Sequence, residues 1–483
     1  MYLYIWLGVL LAVLWLYFRK TYSYFKHRGV NYLPPVPVLG NMARTILKME
    51  HMVEGLNRLY FSFPDDRFVG NYEFLAPTMM IRDPELIRLI GIKDFDSFTD
   101  HRRFSNEKDP FFAKSLFGLR GDAWRDMRAT LSPAFTGSKL RGMVPLIQDC
   151  SQNLVRYLDN EMKKDGYLDV DTKDLFTRYT NDVIATCAFG LRVDSITEKD
   201  NQFYNMGYDL TNLKFRQIVK MFLVLSFPSL STLKHENIKD EKDAGFSTVE
   251  ESTIGKRTIK RVWDDEHLVA QALLFFFAGF DTVSTAMMFL LYELAVNPDI
   301  QAKLRQEIDD YFNEHHGKID YDKINKMQYM DMVLSETLRK WPPAPNTDRY
   351  CQKRYNLGKP HEKATKDVYL EEGSVVVIPV WPIHYDPKYY PDPHRFDPER
   401  FSDENKHNIN PFTYLPFGVG PRNCIGSRFA IIEVKAMVFD LLRHFELSPA
   451  PKTRVPAKLD PSQFAMRFLG GHWIRIKPRD VKA

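Results

Sequence analysis

The sequence predicts a mainly α-helical chain with a small β part, preceded by one apolar helix at the amino terminus. Three observations predict it. Helical periodicity recurs over most of residues 42–345. Strand-like runs are confined to two short stretches, 366–380 and 464–478. Residues 1–18, "MYLYIWLGVLLAVLWLYF", carry no charged side chain.

That first run comes first in order. As a helix it spans roughly 27 Å, about one hydrocarbon core. Tyr2, Trp6, Trp15 and Tyr17 suit membrane interfaces, and Arg19, Lys20, Lys26 and Arg28 follow at once. A cleaved signal peptide would want positive charge before the apolar run and small residues after it, and neither is present. The expectation is an uncleaved anchor at 1–18 with the rest of the chain on the cytosolic side. Residues 19–41 form a basic, proline-rich hinge in which "LPPVPVLGN" acts as a stiff extended spacer. Residues 42–483 form one catalytic-size body.

Within the body, helical patterns cover 121–132, 141–163, 172–189, 198–226, 264–296, 298–314 and 326–340. Residues 366–380, "KDVYLEEGSVVVIPV", are β-branched around Glu372-Gly373 and read as a hairpin. The end, "FAMRFLGGHWIRIKP", alternates again. Residues 232–261 are polar, mixed in charge and weakly periodic, and read as an exposed loop.

Composition narrows the function. Sixty-six basic and 62 acidic residues give a net charge of +4, too balanced to point to nucleic acid. Hydrophobic residues make up 44% and aromatics 14%, enough for a large core and an apolar pocket. The four cysteines, Cys150, Cys187, Cys351 and Cys424, form no CxxC pair, which excludes a zinc ribbon or dithiol motif. Cys150 and Cys187 read as buried, inert thiols. No GxGxxG follows a strand, so a Rossmann nucleotide site is not supported.

Three stretches carry chemistry. In the 264–296 pattern Asp281 is the only charge between Leu268 and Tyr292. A carboxylate amid apolar surface needs a partner or a task. Thr282 beside it has a hydroxyl that can bond back one turn, and an acid next to an alcohol in a dry groove can relay protons. A second membrane span, or a core helix with Asp281 merely paired, are the alternatives. In "SETLRKWPP" Glu336 and Arg339 share a helix face, and "DPERF" supplies Arg400 as a third member of an ion network that locks coil to helix. In "FGVGPRNCIG", residues 417–426, Gly418 and Gly420 would let backbone approach a flat ligand, and Arg422 could grip its carboxylate. Cys424 stands just ahead of an amphipathic helix, whose amino end favours a thiolate able to ligate haem iron.

The Ala-Gly-x-Asp-Thr helix, the Glu-x-x-Arg helix, the Pro-Glu-Arg-Phe coil and the cysteine loop, in this order along the chain, resemble the cytochrome P-450 haem-thiolate monooxygenases. The likeness covers essentially the whole chain. The anchor and proline hinge resemble the microsomal branch. "FDSFTDHRRF", "AGFSTVEES" and "DDEHLVAQALLFFFAGFDTVSTAM" resemble the insect xenobiotic-metabolising enzymes, near their ninth family. The resemblance implies the cytochrome P-450 fold, a helical domain with a small β-rich domain. It implies haem b as cofactor, with Cys424 as the iron ligand and Phe417 packed beside it. It implies that Asp281 and Thr282 serve oxygen activation, and that Trp124, Arg128, Arg349 and Arg422 meet the haem propionates. Expected pocket residues are Phe112, Phe117, Phe277, Phe280, Ala344, Thr347, Phe464 and Met466. Electrons would come from NADPH through NADPH–cytochrome P-450 reductase, with cytochrome b5 as a second donor. Lys139, Arg141 and Arg428 are candidates for the docking face. The place implied is the endoplasmic reticulum membrane, catalytic body on the cytosolic face, acting on lipophilic compounds such as insecticides and plant toxins, or endogenous lipids and hormones.

The chain departs from the family in one place. Near Ser231-Thr232 about 40–50 residues are expected to be missing, the size of several helices and loops. The family has two helices there, one of them part of the pocket lid. Two other readings therefore stand beside the monooxygenase: an altered or inactive haem-binding product lacking lid helices, and a reductase-independent haem-thiolate isomerase or dehydratase.

Overall fold

The computed structural model describes residues 2–103, 110–162, 166–211, 263–315 and 319–479. The helices that matter are α1 (Tyr2–Thr21), α2 (Met52–Phe61), α3 (Gly121–Leu131), α4 (Gly137–Met162), α5 (Thr172–Phe189), α6 (Gln202–Thr211), α7 (Asp265–Val296), α8 (Pro298–His315), α9 (Gln328–Lys340) and α10 (Ser427–His444). The strands are β1 (Phe68–Glu73), β2 (Ala76–Ile81), β3 (Leu168–Asp171), β4 (Thr347–Tyr350), β5 (Tyr355–Gly358), β6 (Val368–Leu370), β7 (Val375–Ile378), β8 (Phe445–Pro449) and β9 (Trp473–Pro478). Six of the seven helical stretches read from periodicity match α3, α4, α5, α7, α8 and α9 within a few residues. For the seventh, 198–226, α6 accounts for the start, and residues 212–226 lie outside the described residues. So do the polar loop at 232–261 and the junction at Ser231.

The long helix α7 organises the body. Asp264 caps it by accepting from the His267 amide, and Asp265 and Glu266 lie in the first turn, where carboxylates complement the helix dipole. From Val283 to Ala295 every residue is buried. An apolar helix enclosed this way is a core helix, and the membrane-span alternative for this segment falls. It packs along α5, whose cap is Asp171 and whose end is Gly190 at φ 65°. α4 packs on α10 across the same core, in which Leu154, Tyr179, Met287, Leu291 and Phe439 are buried.

Among the described residues the β part forms three small sheets: β1-β2-β7-β4, β3-β9-β8 and β5-β6. The hairpin expected at 366–380 does not form. The chain does turn at Glu372-Gly373, with Gly373 at φ 90°, but the flanking strands separate. β6 pairs with β5, while β7 pairs parallel to β2 and antiparallel to β4. The local signal specified the turn, and burial of Val376, Val377 and Ile378 drew β7 into the larger sheet.

At the amino end, α1 runs three residues beyond the apolar run and buries none of its side chains. The proline segment is not a free extended spacer. It folds back in a tight turn bridged from Val36 to Gly40, and its end is pinned to β1, where the Asn41 amide donates to Tyr72 O at 2.8 Å. Phe18, Tyr22, Phe25, Tyr32 and Tyr72 stack between helix and sheet, so the orientation of α1 is tied to the body by aromatic packing.

Candidate functional site

The loop at 417–426 is held by its own backbone. The Cys424 amide donates to Phe417 O at 2.9 Å, Gly418 N to Leu415 O at 3.0 Å and Asn423 N to Gly420 O at 3.0 Å. The two glycines have different tasks. Gly418, at φ 79°, lines a cavity of about 750 Å³. Gly420, at φ 71°, faces the other way: a Cβ there would lie 1.8 Å from Gly91 O. The expected approach to a flat ligand therefore rests on Gly418, and Gly420 serves packing against residue 91.

Cys424 exposes its surface to this cavity, beside Phe417 and below the start of α10. Burial pushes its thiol up, while the Gly426 amide and the Arg128 guanidinium pull it down. The helix start pulls toward the thiolate, but burial outweighs it and the net shift of the thiol is upward, opposite to the expectation from the helix start alone. Arg128 on α3 donates to Asn423 O and Oδ1, both at 2.9 Å, and braces the residue before the cysteine. Arg422 lies over the Trp124 ring at 4.1 Å and donates to Thr99 O at 2.7 Å, Leu116 O at 3.2 Å and Leu119 O at 2.7 Å. Burial lowers it to about 9. Trp124, Arg128 and Arg422 all line the cavity. Arg349 does not. It is fully buried on β4 and donates to Val419 O at 3.0 Å and Asp348 O at 2.6 Å, so it supports the cysteine loop from behind.

Across the cavity wall made by α7, Thr282 faces inward and Asp281 does not. The Thr282 hydroxyl donates back to Ala278 O at 2.6 Å, the bond anticipated for it. Successive residues of a helix point about 100° apart. Asp281 is therefore turned to Lys173 at 2.8 Å and Arg467 at 2.7 Å. Burial opposes its charge, yet the two cations outweigh burial and hold the carboxyl at about 2. The acid and alcohol are neighbours in sequence but do not share one groove.

Of the expected pocket residues, Phe117, Phe277, Ala344, Thr347 and Phe464 line the cavity. Phe112 stands behind, edge-on to Phe117 at 5.8 Å. Phe280 and Met466 are core: Phe280 is fully buried against Phe276 and Tyr204, and Met466 lies among Met288, Phe289 and Trp341. Each is an apolar neighbour of a wall residue, Phe277 or Phe464, but packs into the core beside it. Sequence reasoning missed His101, Arg102 and Asp348. They line the cavity as a linked group, with the Arg102 amide donating to Asp348 Oδ2 at 2.7 Å and His101 Nδ1 lying 3.3 Å from Asp348 Oδ1. The signal for His101 and Arg102 was the charged "TDHRRF" run itself, and Asp348 gave none. Lys173 and Arg467 gave none, because their partner is distant in sequence.

The ion network forms as expected. Glu336 and Arg339 are fully buried, and Arg400 Nε stands 3.6 Å from Glu336 Oε1. Of the candidate docking cations, Lys139 and Arg428 are exposed, whereas Arg141 is engaged with Asp322 at 2.9 Å. Cys150 is buried, and burial lifts it to about 12; Cys187 is half-buried and also raised by burial.

The residues fit a haem. A thiol and an unobstructed glycine face a large cavity, apolar side chains from α7 form another wall, and Trp124, Arg128 and Arg422 supply donors on its border. Comparison with known proteins points the same way. The family model for cytochrome P450 matches residues 31–474. The chain is 42% identical to cytochrome P450 9e2 of Blattella germanica, covering 95% of this chain and 94% of that protein. It is 38% identical to probable cytochrome P450 9f2 of Drosophila melanogaster, covering 95% of each. It is 37% identical to cytochrome P450 6j1 of Blattella germanica, over 96% of this chain and 95% of that one. The first of these alignments runs over 508 positions although only 95% of 483 residues take part, so some fifty positions face no residue of this chain.

Proposed function

The chain belongs to the cytochrome P450 family of haem b monooxygenases, and from that premise we propose that it is a membrane-anchored enzyme that oxygenates lipophilic foreign compounds with electrons from NADPH delivered by a flavin reductase. The observation that carries this reading is that Cys424 and Thr282, from two separate elements, line one apolar cavity.

Haem b supplies oxygen activation when bound: one atom of O2 enters the substrate, the other leaves as water, and two electrons and two protons are consumed. The protein's own residues do the rest. Cys424 would hold the haem iron through its sulfur, and the bonds from Arg128 to Asn423 O and from the Cys424 amide to Phe417 O hold that residue in place. Trp124, Arg128 and Arg422 are the candidates to meet the propionates. Thr282 lines the cavity with its hydroxyl bonded back to Ala278 O and is the candidate last protein group on the proton path, and Asp281 stands one residue back as an ionised acid. Leu274, Phe277, Ala278, Ala344 and Phe464 offer an apolar substrate only dispersion and desolvation, which suits compounds of varied shape. The apolar α1, none of whose side chains is buried, supports a membrane anchor, and the basic residues after it support an endoplasmic reticulum location with the body in the cytosol. The likeness to cytochromes P450 9e2 and 6j1 of an insect supports the insect branch, from whose resemblance the reading of foreign lipophilic substrates, with endogenous lipids or hormones as the alternative, is taken.

The deciding measurement is the difference spectrum of the reduced, carbon-monoxide-bound protein. A thiolate-type Soret band is expected in the native chain and its loss in Cys424→Ala. An imidazole-type or neutral-thiol band in the native chain would overturn the assignment. Turnover that needs NADPH and reductase separates the monooxygenase from a haem-thiolate isomerase, which would work with hydroperoxide alone.

A further inference from the structure

Between β8 and β9 the chain passes over α7 and reaches two places at once. Phe464 lines the cavity. Three residues on, Arg467 grips the far side of the same helix: Nη2 donates to Asp281 Oδ1 at 2.7 Å and Nη1 to Thr285 Oγ1 at 3.3 Å. The segment between them is stiff. Met466 and Phe468 are buried, Asp460 N donates to Arg467 O at 2.8 Å, and Phe468 N donates to His472 Nε2 at 2.9 Å. His472 O in turn accepts from Thr172 Oγ1 at 2.9 Å, which ties the loop to the start of α5. The next residue of α5, Lys173, donates to the same Asp281 Oδ1 at 2.8 Å and to Ser284 Oγ at 2.6 Å.

Two cations therefore meet on one carboxylate oxygen. One would balance the charge, and the second repels the first: burial, together with Arg467, brings Lys173 down to about 8 against the pull of Asp281. Such an arrangement is uneconomical as a stabilising ion pair. It does fix orientation, because the planar guanidinium and the ammonium approach from different elements. The other oxygen, Oδ2, has no hydrogen bond among the described residues.

We propose that Arg467 is a positioning residue that links the Phe464 wall of the cavity to Asp281, and so couples the seating of substrate to proton delivery on the Thr282 side. It touches neither substrate nor haem. A substrate that presses on Phe464 displaces a segment held at Ala465 O, 3.4 Å from His51 Nε2, and at Arg467 by the acid, so movement at the wall reaches the carboxylate through the Arg467 side chain. The inference rests on the reading of Asp281 and Thr282 as the proton-delivering pair.

The test uses the full-length holoenzyme with reductase in phospholipid vesicles. Arg467→Gln is expected to lower product formed per NADPH consumed several-fold and to enlarge the solvent isotope effect on product formation. The carbon-monoxide band and the dissociation constant from the substrate-induced spectral shift should stay near native. Arg467→Lys should restore part of the coupling, which a purely structural role would not require. Without turnover, unfolding midpoints of Arg467→Gln, Asp281→Asn and the double variant should be non-additive; additivity overturns the bond. If Asp281→Asn and Thr282→Ala uncouple turnover while Arg467→Gln matches native coupling, the link is wrong and the pair stands. If those two variants are themselves fully coupled, the pair falls and the link falls with it.

Discussion

Both oxygens of Glu336 are taken by Arg339, at 2.7 Å from Nε and 2.8 Å from Nη2, with both side chains wholly buried. The same arginine donates to His384 O at 3.0 Å and Arg395 O at 3.3 Å, and Glu336 Oε1 accepts from the Asp397 amide at 2.9 Å. One pair thus fastens α9 to the coil that precedes the cysteine loop. Breaking a buried pair leaves an uncompensated charge and costs about 3–5 kcal/mol. Glu336→Ala is therefore expected to lose haem-loaded protein almost entirely, measured as haem per polypeptide. Retention of native haem content would show that the coil is held by other contacts.

Phe464 and Met466 are two residues apart and face opposite surroundings, one the cavity and one the core. Phe464→Ala should weaken binding of an apolar substrate severalfold with little change in unfolding midpoint. Met466→Ala should do the reverse, costing about 2–5 kcal/mol as a large-to-small core change. Equal effects of the two variants on binding and stability would contradict this placement.

Asp440 on α10 is buried, accepts from the Ser151 hydroxyl, and is lifted by burial to about 6. Its folded value lies above its unfolded one. Its contribution is most favourable below the unfolded value near 3.8, and it is lost as pH rises through about 6. Asp440→Asn should thus raise the unfolding midpoint relative to native at pH values above that range, and the difference should shrink on acidification. A pH-independent difference would show that the carboxyl does not titrate in that window.

Removal of α1 takes away an exposed apolar helix but leaves the packing of Tyr22, Phe25, Tyr32 and Tyr72. A chain starting at Thr21 should keep the thiolate-type carbon-monoxide band and lose resistance to extraction from membranes by alkali. Persistent integral behaviour would place a second anchoring element in the body.

Much of the proximal side was legible in advance because it is local. "FGVGPRNCIG" states its turn glycines, its cysteine and its helix start within ten residues, and Glu336 and Arg339 are one helical turn apart. Helix positions were legible because burial of one face imposes a period that survives in the sequence. The hairpin at 366–380 misled because a turn signal reports direction change and not the partner strand, which for β7 lies at residues 76–81 and 347–350.

By itself, then, the sequence determined the family, the cysteine at the start of α10 and the presence of an acid–alcohol pair. Only the tertiary structure decided which way each side chain turns. Asp281 and Thr282 are adjacent in the chain, yet helical rotation gives Thr282 to the cavity and Asp281 to Lys173 and Arg467. Those cations lie 108 and 186 residues away, and no local pattern encodes them. A pairing across that distance is set by how α5, α7 and the final loop pack, and packing is a property of the whole core rather than of any segment.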